Sequence, residues 1–246
     1  MERNKAKSRR RARLGLLLAL PLLLAAAFFG YVSIYYHADA RALAALESDG
    51  AVTVSRTDYG WRFDGPSESD ALIFYPGGKV EARAYAPLLR EIAAEGMDVC
   101  LVEMPFRLAV LAPNQADRVM EQEDYANWSI GGHSLGGAVA ANYAASHGDR
   151  LRGLVLLAAY ATRPLDPGLQ VLVVVGSEDG VVNRAKLEAG LRYLPADARF
   201  VTIPGANHAQ FGSYGPQRGD GEALISPEEQ WARTAALLRE LPAKAA

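Results

Sequence analysis

The chain has 246 residues, half of them apolar, and a formal net charge of −2. That length accommodates one α/β domain with a substantial core, and the near-neutral charge gives no electrostatic footprint for nucleic acid. Cys100 is the only cysteine, which excludes intramolecular disulfides and cysteine-based metal sites.

The amino terminus differs from the rest. Residues 1–13 carry seven Lys or Arg (Arg3, Lys5, Lys7, Arg9, Arg10, Arg11, Arg13) against one acid, Glu2, and residues 14–36 carry no charge at all. Roughly 20 apolar residues cross the hydrocarbon core as a helix, so 14–36 reads as one transmembrane anchor. Pro21 is a candidate kink, and Tyr31, Tyr35 and Tyr36 stand where an interfacial aromatic belt falls. The basic flank predicts a cytoplasmic tail at 1–13 and the domain on the far side of the membrane. A cleaved signal peptide is the competing reading, with Ala38-Asp39-Ala40 as its small-residue site. The apolar run is longer than that reading needs and the site lies late, so an uncleaved signal-anchor is preferred. Residues 37–50 are then a juxtamembrane segment, and 51–246 the domain.

Asp39 to Asp49 reads as a short helix stopped at Gly50. Ala51 to Ser55 and Tyr59 to Phe63 are short β-like runs joined by a polar turn, as in a hairpin. After a polar loop at 65–70, Ala71 to Tyr75 is a continuous apolar run, as expected of a strand buried on both faces. It leads into Pro76-Gly77-Gly78-Lys79. Residues 81–95 place Tyr85, Leu88, Leu89, Ile92 and Ala93 at helical spacing, closed by Gly96. Further strands are predicted at Asp98–Met104, Trp128–Ile130, Leu151–Ala159, Gln170–Val175 and Arg199–Ile203. Helices are predicted at Asn114–Glu123, Asn183–Leu194 and Pro227–Leu241, with Asn114 and Ser226 as N-caps. Strands alternating with helices at short spacing imply βαβ crossovers and a largely parallel sheet.

The most informative stretch is Trp128 to Gly148. An apolar lead-in ends in Gly132-His133-Ser134-Leu135-Gly136, and an Ala-rich helical pattern follows at once. This is G-x-S-x-G in its strand–turn–helix context, the nucleophile elbow. The serine must sit on a strained turn, and a Cβ at Gly132 or Gly136 would crowd it. A serine hydroxyl needs a base, and the base needs a third group to hold its tautomer. Of the four histidines, His37 lies at the membrane edge and His133 is turned away from Ser134 by adjacency. His147 ends the helix after the elbow, whereas His208 sits in a loop just after the last predicted strand, which makes it the base. The strand ending at Val175 runs into Gly176-Ser177-Glu178-Asp179-Gly180, where Asp179 is preferred over Glu178 as the acid. Asp166 precedes that strand and falls at the wrong edge. The oxyanion needs two preorganised donors. Leu135 N–H is one; the other is expected from the glycine pair after the early strand, Gly78 first and Lys79 next.

With these residues in view, the chain resembles the α/β-hydrolase superfamily over about 51–242. The marks are Gly-His-Ser-Leu-Gly at 132–136, the acid turn at 176–180, and His208, in the order Ser, Asp, His. The resemblance implies a mostly parallel central sheet flanked by helices, with Ser134, Asp179 and His208 at its carboxyl edge. The oxyanion loop departs from the family's common His-Gly, reading Pro-Gly-Gly. Only about ten residues separate the strands near Tyr160 and Gln170, where many relatives insert a cap. A small capless member, similar to dienelactone-hydrolase-like proteins, is therefore expected, its pocket shaped by loops at 103–113, 160–168 and 209–225. Phe106, Phe211, Tyr214 and Lys79 are the candidate substrate contacts; Glu103 and Arg107 are candidates for recognising a polar group. The expected activity is that of a serine esterase on a small-molecule acyl substrate, with no cofactor or metal. Acyl transfer or peptide cleavage on the same residues is the alternative within the class, and a silent binding module the alternative outside it.

Overall fold

The computed structural model of the protein describes residues 19–67 and 69–240 and divides into two compact units, Met1–Tyr35 and Tyr36–Ala246. In the first, residues 19–33 form a helix, α1. Among the described residues no helix is long and apolar enough to cross a membrane. The start of the expected span, 14–18, and the basic tail 1–13 lie outside them.

The second unit begins fifteen residues earlier than the sequence boundary at 51, because residues 36–50 pack with it. The helix expected over 39–49 is only α2, Ala40–Ala44, capped by Asp39 Oδ1 accepting from Ala42 N–H at 2.9 Å. It stops short because the Asp49 carboxylate takes the N–H groups of Ala51 and Val52, at 2.8 and 2.9 Å, and folds that stretch into a turn. Strands β1 (Thr53–Arg56) and β2 (Gly60–Asp64) form the expected antiparallel hairpin.

Six further strands follow: β3 (Asp70–Tyr75), β4 (Asp98–Val102), β5 (Asn127–His133), β6 (Gly153–Leu157), β7 (Gln170–Gly176) and β8 (Arg199–Ile203). The sheet order is β1-β2-β4-β3-β5-β6-β7-β8, and every pairing from β4 to β8 is parallel. The helices are α3 (Ala86–Ala94), α4 (Gln115–Gln122), α5 (Leu135–Ala144), α6 (Arg184–Gly190) and α7 (Pro227–Arg239). Residues 82–85, expected within α3, form a 3₁₀ turn, and Pro87 stands in the first turn of the α-helix proper. Ser226 caps α7 as expected, accepting from Glu229 N–H at 3.1 Å, whereas Asn114 makes no side-chain cap to α4.

The apolar runs that mark the strands bury both faces of the sheet. Leu72, Phe74, Val99, Leu101, Val155, Leu157, Leu172 and Val174 pack on one side with Leu88 and Ile92 of α3 and Trp231 and Leu238 of α7. Their neighbours Ile73, Tyr75, Cys100, Val102, Leu154, Leu156 and Val173 pack on the other, with Ala140 and Ala144 of α5 and Leu187 of α6. This is the period of two imposed by the pleat. The strand order reverses beside β3, where crevices outside the carboxyl ends of the strands bind ligands in open α/β sheets.

Candidate active site

The elbow forms because its glycines let three backbone segments meet. A Cβ on Gly132 would lie 2.4 Å from Tyr75 O, and one on Gly136 would lie 2.2 Å from both Tyr75 O and Pro76 O. A Cβ on Gly137 would meet Gly132 O at 2.6 Å. Between them Ser134 adopts φ 51°, ψ −121°, left-handed backbone that costs a non-glycine residue about 1–3 kcal/mol. The sheet holds it there: Ser134 N–H donates to Leu157 O at 2.9 Å, and its carbonyl accepts from Ala138 N–H in the first turn of α5.

The candidate acid and base, Asp179 and His208, arrive on the ends of β7 and β8. A Cβ on Gly176 would lie 2.2 Å from Ala206 O, so the two strand ends touch backbone to backbone. Ser177 N–H donates to Ile203 O, Glu178 N–H to Ala206 O, and Gly205 N–H to Ser177 Oγ. Across this seam Asp179 Oδ2 and His208 Nδ1 are 2.9 Å apart, with both side chains buried, 0% and 1% exposed. Asp179 Oδ1 accepts from Val181 N–H at 2.9 Å and Val182 N–H at 2.8 Å. Burial alone would raise this carboxyl's pKa. The bond to His208, its charge and the two valine N–H groups outweigh burial and hold it below the ordinary 3.8. Glu178 is half-exposed and takes the Ser177 hydroxyl at 2.8 Å, and Asp166 is exposed in a turn before β7. Asp179 is therefore the acid that meets His208. His208 Nε2 is buried with no hydrogen-bond partner among the described residues, a free acceptor or donor position on the ring.

Two backbone donors stand beside the elbow. Leu135 is the first residue of α5, so its N–H has no intrahelical partner. In the loop after β3, Gly77 N–H donates to Tyr85 Oη at 3.0 Å and Lys79 N–H donates to Arg107 O at 2.9 Å. Gly78 N–H, between them, makes no hydrogen bond among the described residues. A Cβ on Gly78 would lie 2.7 Å from Leu135 Cδ2, so the two segments are neighbours.

Two residues outside the expected set complete the arrangement. His133, expected to point away, lies 4.4 Å from the His208 ring by centroids and is 2.8 Å from Tyr85 Oη through Nδ1. Burial, and then the neighbouring His208, lower its pKa well below 6.5, so it stays neutral and does not compete as a base. Burial also raises the Tyr85 phenol, leaving it a neutral partner to Gly77 and His133.

The aromatic candidates divide. Phe106 is 44% exposed and lines a cavity of about 560 Å³ with Arg56, Trp61, Glu103, Arg107 and Pro76 of the loop after β3. Phe211 and Tyr214, expected at the substrate side, are core residues instead: Phe211 is fully buried against His133, and Tyr214 packs on Tyr36 and Tyr85. The 209–211 turn after His208 carries Phe211 into the core. The residues just after Tyr35 also belong here. Tyr36 pairs with Val80, donating to Lys79 O at 2.8 Å and accepting from Glu81 N–H, while Asp39 accepts the Ser213 hydroxyl.

The sequence profile of the alpha/beta hydrolase family matches residues 71–232, which spans the loop after β3, the elbow, the acid turn and the base. The chain is an α/β-hydrolase. The hydrolase is similar in fold to a CIB-like hydrolase from Thermoplasma acidophilum, with a TM-score of 0.56 at 16% identity over 78% of this chain and 99% of that one. It is also similar to a dienelactone hydrolase from Anabaena variabilis (TM-score 0.54, 17% identity, 80% and 97% covered). A carboxylesterase from Bacillus subtilis gives 0.54 at 12% identity, with 80% and 94% covered. No curated protein sequence matches the chain.

Proposed function

We propose that the chain is a serine hydrolase that cleaves carboxylic esters through Ser134, His208 and Asp179. The observation that carries this reading is the buried Asp179–His208 bond at 2.9 Å, at the same sheet edge as a serine held in strained backbone. In this reading Ser134 Oγ attacks the ester carbonyl as its proton passes to His208 Nε2. Asp179 holds the Nδ1–H tautomer and stabilises the imidazolium. The N–H groups of Leu135 and Gly78 take the oxyanion, and His208 returns the proton to the leaving alcohol. Water, activated by the same imidazole, releases the acyl group. The likeness in fold to a carboxylesterase and a dienelactone hydrolase supports ester bonds as the target class. A fluorophosphonate probe should label Ser134 in the wild-type chain, and Ser134→Ala should lose both labelling and turnover of a short-chain ester while staying folded. Retention of more than a few per cent of activity by pure Ser134→Ala protein refutes the assignment.

The same reading places the domain outside the cytoplasm on an uncleaved anchor at 14–36, with 1–13 as its cytoplasmic flank. The charge pattern of 1–36 supports it. So does the packing of Tyr36 and Asp39, because cleavage after Ala38-Asp39-Ala40 would remove two residues built into the domain. Protease added outside sealed cells should digest the domain; complete protection reverses the orientation.

A further inference from the structure

The loop between the base and α7 reads Arg218-Gly219-Asp220-Gly221-Glu222, which as sequence is an ordinary polar turn. In the structure its one central carboxylate reaches the backbone of both loops that carry Asp179 and His208. Asp220 Oδ1 accepts from Gly180 N–H at 3.1 Å and from His208 N–H at 3.2 Å, and Oδ2 accepts from Ala209 N–H at 2.8 Å. Gly180 is the residue after Asp179. A single side chain thus spans the backbone of the acid turn and the backbone of the base.

The approach is tight enough to require glycine on both sides. A Cβ on Gly180 would lie 2.5 Å from Gly219 O, and one on Gly221 would lie 2.1 Å from Glu178 O. Gly219 itself has φ +88°, which turns the loop so that Asp220 faces inward. From the other side Asn207 Nδ2 donates to Gly221 O at 2.8 Å, so base loop and clamp loop are bound reciprocally. The seam between β7 and β8 fixes the roots of the two catalytic loops, and Asp220 fixes their tips.

We propose that Asp220 is a positioning residue for the Asp179–His208 pair, setting the spacing of the two side chains and the direction in which His208 Nε2 points. The inference rests on the serine-hydrolase reading above. Its physical basis is that backbone amides at the two tips move independently unless a shared acceptor ties them. A displacement of about 1 Å at a general base costs on the order of 10²-fold in rate. The groups facing His208 are Asp179 from the acid turn, His133 from β5 and Asp220 from its own loop.

The test uses the full-length chain in detergent, with Asp220→Ala and Asp220→Asn beside wild type. Three quantities are read: the rate constant for fluorophosphonate labelling of Ser134 per folded molecule, kcat and KM for a p-nitrophenyl butyrate substrate, and the downfield proton resonance of the His208 Nδ1–H to Asp179 bond. Asp220→Ala should lower labelling and kcat by about 10²-fold with KM within about threefold, and broaden or abolish the resonance. Asp220→Asn keeps one acceptor oxygen but presents an N–H to Ala209 N–H, so its loss should be smaller. Combined with Asp179→Asn, the losses should overlap rather than multiply, because both act through His208. Labelling of folded Asp220→Ala at the wild-type rate with an intact resonance overturns the proposal. If the alanine variant does not fold, Asp220→Ser, whose short hydroxyl cannot span both tips, replaces it, and wild-type labelling and kcat in that variant overturn the proposal. A wild-type chain that shows the resonance but is never labelled at Ser134 refutes the serine-hydrolase reading instead, while the resonance in Asp220→Ala still decides the clamp.

Discussion

Asp179→Asn separates chemistry from folding more sharply than any other single change. The carboxylate makes three contacts: Oδ2 with His208 Nδ1, and Oδ1 with the N–H groups of Val181 and Val182. An asparagine that keeps its carbonyl oxygen on the two valines must turn its NH₂ toward His208. Nδ1 then has to accept, the ring proton moves to Nε2, and the imidazole loses the lone pair that takes the serine proton. Holding a triad histidine in the wrong tautomer costs on the order of 10⁴-fold in kcat, about 5.5 kcal/mol of barrier. Stability should change little, because the Val181 and Val182 N–H groups keep their acceptor and His208 Nδ1 keeps a partner. Asp179→Ala differs: it strands two buried donors, Val182 N–H and His208 Nδ1–H, each costing about 1–3 kcal/mol, and the part-buried Val181 N–H, against a typical domain margin of about 5–15 kcal/mol. Both variants are compared by kcat on a short-chain p-nitrophenyl ester and by thermal melting, with Glu178→Gln as control. The sign with pH follows from the lowered pKa. The carboxylate's stabilisation is fully present above the ordinary 3.8 and is lost as pH falls through its lower folded value. The difference in melting temperature between wild type and Asp179→Asn should therefore be flat through neutral pH and narrow only in acid. A tenth or more of wild-type kcat in Asp179→Asn, or a crippled Glu178→Gln, refutes the reasoning.

Gly136→Ala should prevent the elbow from closing, since its methyl meets two backbone oxygens at 2.2 Å and neither can retreat without breaking β3 from β5. Loss of cooperative melting or of near-UV circular dichroism is the expected result, and a native melt refutes it. A chain starting at Tyr36 should melt well above one starting at Arg41, which lacks the Tyr36–Val80 pairing and the Asp39 cap of α2. Equal melting temperatures mean that the segment is dispensable and that cleavage after Ala40 is tolerated.

The parts of this protein legible in its sequence are those whose signals are local. Continuous apolar runs at 71–75, 99–102 and 171–175 give buried parallel strands, and glycines two positions either side of Ser134 give the elbow. The meeting of Asp179 with His208 follows from strand ends, because a parallel sheet brings the carboxyl termini of its strands to one edge. What the sequence leaves hidden depends on which loops touch. Tyr85 has the spacing of a core helix residue, and nothing in that spacing shows its hydroxyl reaching Gly77 N–H and His133. Phe211 and Tyr214 carry the composition of a substrate wall, but both rings lie in the core. Tyr36 reads as the end of the anchor and Asp39 as the start of a juxtamembrane helix, because their partners, Val80 and Ser213, are far away in sequence.

The distribution of backbone strain argues independently for where the chemistry lies. Among the described residues, five other than glycine have left-handed φ: Lys79, Phe106, Arg107, Ser134 and Ala158. They follow β3, β4, β5 and β6, so all five stand at the carboxyl edge of the sheet and none in the hairpin or at the opposite edge. Two of them are held by ladder bonds continued past the strand ends: Ser134 N–H reaches Leu157 O, and Ala158 N–H reaches Val174 O at 2.8 Å. Lys79 N–H bonds Arg107 O from loop to loop, and Arg107 N–H closes a turn on Met104 O. At Ser134 and Ala158 the sheet fixes the direction of the amide while the reversed φ swings the following peptide out of line. At Ser134 that reversal turns the Leu135 N–H out of line and leaves it unspent beside the serine. A regular continuation of β5 would have directed that donor into the ladder, where it stabilises the fold and is unavailable to an oxyanion.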